Sequence, residues 1–355
     1  ADHVESFYSW VEEKAVRLEA WEVKEAKVGV KEGLAVRVIY RGGLGLAYTN
    51  STSPAGVEEA VKRALSQAKL RRVDNTPLKD FPSPSKLPRV EGLLDPELAE
   101  LSLTQASSLL KEGVEELDSD PRLSTVNADL TLTSRRVAIV NSLGVDSSFE
   151  EALARLDVEV VAREAGAQSS GYRPLATRRA RELNVAKATH EAAKEALKGL
   201  EAIRVRGFKG PVVLAGLALR VVVSSLASAL DAELVQLGRS FMAGVEGLSR
   251  KLTLIDDATT PSGVKSRPFD AEGVASRRLV VVERGRTASL LHNHYTASKQ
   301  GCLSTGHAAR DGGFNHDGRV GVAPTNLFVE PMGRGGLEDL TAEVERGLLL
   351  CSTHD

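Results

Sequence analysis

Cysteine is scarce: Cys302 and Cys351 are the only two in 355 residues. Two thiols far apart in sequence make no disulfide framework, and the expectation is reduced thiols in a cytoplasmic protein. Aromatic residues are few as well, 8 Phe, 5 Tyr and 2 Trp, which leaves little material for stacking platforms that bind bases. Neither sign of charge dominates. With 46 Lys and Arg against 48 Asp and Glu the net charge is −2, so the broad basic face of a nucleic-acid binder is missing and no nucleic-acid partner is expected. Long hydrophobic runs are also lacking. The most apolar stretch, 211–230, is interrupted by Arg220, Ser224, Ser225 and Ser228, and an arginine at mid-bilayer costs ~2.5–3.5 kcal/mol. The first residues, Ala1-Asp2-His3-Val4-Glu5, do not follow the basic-then-apolar order of a secretion signal. A soluble cytoplasmic protein without a membrane partner is expected.

At ~150 residues per domain the length suggests two to three domains. Val4, Phe7, Val11, Ala15 and Leu18 recur at three and four residues and predict an opening helix. Alternation from Val28 to Tyr40 and from Leu44 to Tyr48 predicts two strands joined at Gly42-Gly43, and Ser53-Pro54 opens a helix. Pro77, Pro82, Pro84, Pro88 and Pro96 mark an extended, hydrated linker. Beyond it, a helix over 101–117 precedes strands around Val126–Leu132, Val137–Val140 and Leu156–Ala162. A mobile loop over 164–173 and a helix over 185–200, with Ala186, His190, Ala193 and Leu197 on one side, follow. A short buried strand at 211–214, a helix over 217–237 and a glycine-rich loop from Gly301 to Gly321 complete the reading. The fold class is α+β, with antiparallel sheets packed against helices. The boundaries are an N-terminal α+β domain at 1–76, a Pro-rich linker at 77–100, a middle α+β domain at 101–208 and a β-rich C-terminal domain at 209–355.

Several residue groups invite a chemical reading. His190-Glu191 opens like a zinc-protease helix, but position 194 is Lys194, so the second imidazole at i+4 is missing. The pattern reads better as surface charge pairing of Glu191 with Lys194 and of Glu195 with Lys198. His292 and His294, two apart on an expected strand, would face one side. A loop carboxylate from the stretch that holds His307, Asp311, His316 and Asp317 could close a metal site, with His316 a further candidate, although the spacing matches no tight ligand signature. In Arg267-Pro268-Phe269-Asp270-Ala271-Glu272-Gly273, Asp270 and Glu272 form a possible acid-base pair beside Asp256 and Asp257. The plainer alternative is a tight turn, with Asp270 accepting backbone N–H bonds and Phe269 anchored in the core.

Taken together, Leu254-Ile255-Asp256-Asp257, Ser266 to Val274, Leu291 to Lys299 and Ser304-Thr305-Gly306 resemble the TldD/PmbA family. Within it they are closer to the PmbA (TldE) branch, also labelled modulator of DNA gyrase. Ala47 to Asn50, Asn141 to Gly144 and Ala180 to Ala188 are similar to family segments in the same order. The resemblance implies a place in a zinc-dependent peptidase. Its TldD-type subunit carries zinc on an H-E-x-x-x-H helix, and its TldE-type subunit pairs with that chain to enclose unfolded peptides. The matching helix here, Val222 to Asp231, has neither histidine nor glutamate. The resemblance therefore implies a subunit with no catalytic residue and no cofactor of its own, the zinc lying in a TldD-like partner and the substrate being an extended peptide. Asp256, Asp257, Arg267 to Asp270, Glu272 and Gly273 would then be structural. The end at His354-Asp355 falls short of relatives, so a truncated C-terminal domain is expected. Two rivals remain: an autonomous metallopeptidase using His292 and His294, and a non-enzymatic scaffold or gyrase modulator. Without its partner the chain could form a homodimer.

Overall fold

The computed structural model describes residues 1–71, 78–242, 248–311, 313–331, 333 and 335–352. Pro77 and His354-Asp355 lie outside the described residues. A six-stranded antiparallel sheet dominates, built from β1 (His3–Glu19), β2 (Glu22–Tyr40), β3 (Gly43–Thr49), β4 (Leu123–Asn141), β5 (Asp146–Glu164) and β6 (Ala167–Thr177) in the order β3-β2-β1-β4-β5-β6. Segments from both sides of the proline-rich stretch thus share one sheet.

The expected opening helix is instead β1. Its buried residues alternate as a strand's do, Glu5, Phe7 and Ser9 on one face and Val16 and Leu18 on the other. Two of them are polar, so counting apolar residues alone misses the period. β1 pairs with β2 on one side and β4 on the other, and that double ladder overrides the weak helical spacing. The 164–173 segment is likewise a strand. Ala165 and Gly166, both at positive φ, turn the chain into β6, which pairs with β5 from Glu164↔Ala167 onward. Small polar side chains suit an edge strand, since the ladder needs only the main chain.

Helices cover the sheet ends: α1 (Pro54–Leu70), α2 (Pro96–Glu100), α3 (Leu103–Glu115) and α4 (Val185–Gly199). Ser53 caps α1 by accepting from the Gly56 N–H at 3.2 Å. The buried stripe of α4 runs through Ala188, Ala192 and Ala196, with Ala193 of the expected side also buried, but it does not include Ala186 and His190. Both of those are exposed, because the small alanines permit the closest approach to β6. The stretch from 78 to 95 is extended and largely exposed, as expected, but it is anchored: Leu78 and Phe81 pack on Ile39.

The C-terminal part holds β7 (Val212–Leu214), α5 (Gly216–Ala229), α6 (Ala232–Gln236), β8 (Leu254–Asp257), β9 (Arg278–Glu283), β10 (Arg286–Thr287) and α7 (His294–Gln300). Beyond these come β11 (Ala308–Arg310), β12 (Val320–Val322), β13 (Leu327–Val329), α8 (Leu337–Ala342) and β14 (Leu348–Leu350). A four-stranded sheet runs β10-β9-β8-β13. The expected helix over 217–237 is broken where Asp231 caps α6, accepting from the Glu233 N–H at 2.7 Å. β7 pairs with β14 in parallel and is exposed to half-buried, unlike the buried antiparallel strand expected. The glycine-rich stretch supplies the β11–β12 pair.

Candidate functional site

The loop from Arg267 to Gly273 is closed on itself. Asp270 accepts N–H bonds from Glu272 at 2.9 Å, Val274 at 3.0 Å and Ala308 at 2.9 Å. Phe269 sits fully buried against Phe149, with ring centroids 5.1 Å apart, and Gly273 takes φ +79, a conformation that favours glycine. Glu272 turns the other way. Its Oε1 accepts from Arg37 Nη1 at 2.8 Å and its Oε2 from the His294 N–H at 2.7 Å. Arg37 also grips Glu5 with both arms, at 2.8 and 2.7 Å, and Arg310 Nη2 approaches Glu5 at 3.4 Å. The motif therefore ties the C-terminal part to β1 and β2.

Burial pulls Arg37 down, but the Glu5 and Glu272 carboxylates outweigh it and hold the guanidinium above its ordinary value. Burial, reinforced by the charge on Glu272, pushes the Asp270 carboxyl up to about 7. The Glu272 carboxyl is pushed up by burial but pulled down further by Arg37 and the His294 N–H, ending below its ordinary value. The two carboxyl groups differ in the sense an acid-base pair requires. Both, however, are essentially inaccessible, at 0% and 1% exposure, so a substrate cannot reach them as the structure stands. Asp256 and Asp257 do not join them. Asp256 accepts from the Thr325 N–H at 2.7 Å and from the Thr325 hydroxyl, and lies 3.2 Å from His307 Nε2. Asp257 accepts from the Thr259 N–H and hydroxyl at 2.8 and 2.6 Å.

The histidines are not assembled as the metal reading expects. Asn293 caps α7 by accepting from the Thr296 N–H at 2.8 Å, so His292 and His294 straddle a helix start and do not alternate along a strand. His292 Nδ1 lies 3.1 Å from Thr296 Oγ1, and His294 Nε2 lies 2.9 Å from Asp80 Oδ1. His316 is elsewhere, its Nδ1 3.1 Å from Ser9 Oγ and its Nε2 2.9 Å from Asn50 Oδ1. Among the described residues no three or more His, Cys, Asp or Glu side chains are grouped to hold a metal ion. His190 is exposed, and Glu191 and Glu195 pair with Arg173 of β6, at 3.3 and 2.6 Å, in place of the expected lysines.

Burial depresses the pKa of both His292 and His316 below the ordinary 6.5. A depressed imidazole favours the neutral ring in the fold. Its stabilisation is present above pH 6.5 and is lost as pH falls through that value toward the folded one. Urea midpoints should therefore fall between pH 7 and pH 5. His316→Gln, which cannot titrate, should flatten that decline; an unchanged slope would remove His316 as a cause.

The open feature is a groove of about 980 Å³ between α5, the β5–β6 edge and β13. Its α5 wall presents Gly216, Leu219, Arg220, Val223, Ser224 and Ser228, one helical face. The opposite wall is β13, the terminal strand of its sheet. Asn326 O accepts from the Asp257 N–H and the Glu330 N–H donates to Thr253 O, so 326, 328 and 330 face β8. By the alternation of an antiparallel ladder, the main-chain groups of Leu327 and Val329 face the open edge. Arg178, buried at the end of β6, steadies the wall through Gly263 O at 2.8 Å, Val264 O at 3.0 Å and Glu151 at 2.8 Å. Sequence reasoning missed Arg37 and Arg178, since neither stands in a motif and each is defined by distant partners.

Three family domains match the chain in order: PmbA/TldA metallopeptidase domain 1 over 4–68, the central domain over 96–200 and the C-terminal domain over 208–354. The chain belongs to the PmbA/TldD metallopeptidase family. A metalloprotease of Methanocaldococcus jannaschii is 24% identical, with 98% of this chain and 78% of that protein covered. Among solved structures, TldE from Thermococcus kodakarensis superposes with a TM-score of 0.85 at 24% identity, covering 98% of this chain and 78% of that one. A Thermotoga maritima protein described as a proposed modulator of a DNA gyrase gives 0.88 at 24% identity, covering 99% and 79%. These likenesses establish the PmbA/TldD fold. The family name implies a metal, and the donor set does not fit one: the groove face of α5 offers hydroxyls, methyls and a guanidinium but no imidazole, thiolate or carboxylate. Among the described residues, no helix is long and apolar enough to cross a membrane.

Proposed function

We propose that this chain is the TldE-like, non-metal subunit of a heterodimeric zinc-dependent peptidase of the cytoplasm, acting on peptides or unfolded proteins. The observation that carries the reading is the groove. An unpaired strand edge faces a helix that lacks metal ligands. An extended peptide entering it would pair with the main chain of Leu327 and Val329, in the manner of strand addition. Leu219, Val223 and Phe328 line the groove and would cover the peptide's apolar side chains. Main-chain pairing reads conformation more than sequence, which suits a protein that handles unfolded segments. The zinc and the water it activates would belong to a TldD-like partner, and this chain would supply shape and hold the substrate extended.

The test is reconstitution. This chain alone should carry no stoichiometric zinc and cleave no peptide, and cleavage of an unfolded substrate should appear when a TldD-like chain is added and co-purifies. Peptidase activity of this chain alone with one bound zinc would overturn the assignment.

A further inference from the structure

We propose that the groove between α5 and β13 selects peptides bearing a carboxylate, because Arg155, Arg220 and Lys265 gather there without a matching set of acids. This rests on the peptide-binding reading above and adds a substrate class to it. Of the residues lining the groove, Asp157 is the one acid, and its carboxylate already accepts the Tyr172 hydroxyl. Among the described residues, neither the Arg155 nor the Arg220 side chain makes a hydrogen bond or an ion pair. Arg155 stands on β5 opposite Ala176 of the edge strand β6, and Arg220 stands on the groove face of α5. The Lys265 ammonium reaches only Pro324 O, at 3.4 Å. Burial lowers its pKa, Asp256 raises it, and the nearby Arg267 and Arg155 cations lower it again, so Arg155 and Lys265 are close enough to repel each other.

An occupant carrying a carboxylate would relieve that repulsion and satisfy guanidinium donors that have no protein partner. Charge-assisted bonds of this kind are roughly twice as strong as neutral ones. The cations lie on walls flanking the open edge of β13, so a peptide held by Leu327 and Val329 would have its backbone fixed by the strand and its charge read by the walls. A basic peptide would meet three like charges. The carboxylate can come from an Asp or Glu side chain or from the peptide's own C-terminus, and the two sources are separable.

The experiment uses the full chain, alone and with a TldD-like partner, and four fluorescent unfolded peptides of equal length: acidic with an amidated end, neutral with a free C-terminus, neutral with an amidated end, and basic with an amidated end. The expected result is that at least one carboxylate-bearing peptide binds roughly tenfold more tightly than the neutral amidated one, and that added salt narrows the gap. Preference for the first peptide identifies side-chain recognition, and preference for the second identifies C-terminal recognition. Arg155→Gln with Arg220→Gln should erase the preference, bringing the carboxylate-bearing peptides to the affinity that the same variant has for the neutral amidated one. Equal binding of all four would overturn the selectivity and spare strand addition. Binding of none would overturn both.

Discussion

Arg37→Met is expected to destabilise the protein by roughly 3–5 kcal/mol, the cost of leaving a buried ion uncompensated. Arg37 is the common partner of Glu5 and Glu272, all three at 5% exposure or less. Removing the guanidinium leaves two carboxylates facing each other in the interior. Arg310 would offset only part of the loss, since its contact with Glu5 is a single one at 3.4 Å. Arg37→Lys should recover only part of the loss, since an ammonium cannot make the two-armed contact with Glu5 and reach Glu272 as well. The triple change Glu5→Gln, Arg37→Met, Glu272→Gln should recover more, because it removes the stranded charges along with the cation. Urea denaturation measures all three. An Arg37→Met stability within about 0.5 kcal/mol of the parent, an ordinary surface effect, would show that the network contributes little. The loss should extend to α7, whose first N–H is held by Glu272.

What could be read from the sequence follows how local the determining contacts are. The turn between β2 and β3, expected at Gly42-Gly43 and found one residue earlier at Arg41-Gly42, both at positive φ, and the Ser53 cap of α1 are fixed within a few residues, and both were legible to within a residue. β1 was not, because two of its buried positions are Glu5 and Ser9, whose partners Arg37 and His316 are 32 and 307 residues away. The histidine pair failed for a local reason: Asn293 is a strong helix cap, and a cap between two histidines separates their rings. The Asp270 loop was legible as a turn and as a family resemblance. Its tie to Arg37 spans 235 residues and leaves no trace in the local pattern. The groove is the extreme case. Arg155 and Arg220 each look like ordinary surface arginines, and only the fold brings them to one cleft beside an open strand.

Gly45→Ala and Gly171→Ala are expected to be the most damaging single-methyl additions in the large sheet, each costing ~1–3 kcal/mol or more as overpacking. A Cβ on Gly45 would stand 1.8 Å from Ala64 O and 2.6 Å from Ala68 N, and one on Gly171 2.0 Å from Ala192 O and 2.8 Å from Ala196 N. These are backbone atoms of α1 and α4, so no side-chain rotation makes room and the whole helix must lift. The two sites are built alike. An edge strand carries a glycine, and the helix above it turns down alanines four residues apart: Ala60, Ala64 and Ala68 on α1, and Ala188, Ala192 and Ala196 on α4. Lifting either helix opens the alanine stripe to water and thins its dispersion contacts. Gly29→Ala is the control, because a Cβ there meets nothing within 4 Å and adds a residue better suited to an extended chain. Thermal midpoints should fall for the first two variants and hold for the third. Should Gly45→Ala melt with Gly29→Ala, the close seating of helix on strand contributes no stability. A lower midpoint for Gly171→Ala should be accompanied by weaker peptide binding, since β6 runs on from Gly171 into Pro174, Leu175 and Ala176, which line the groove.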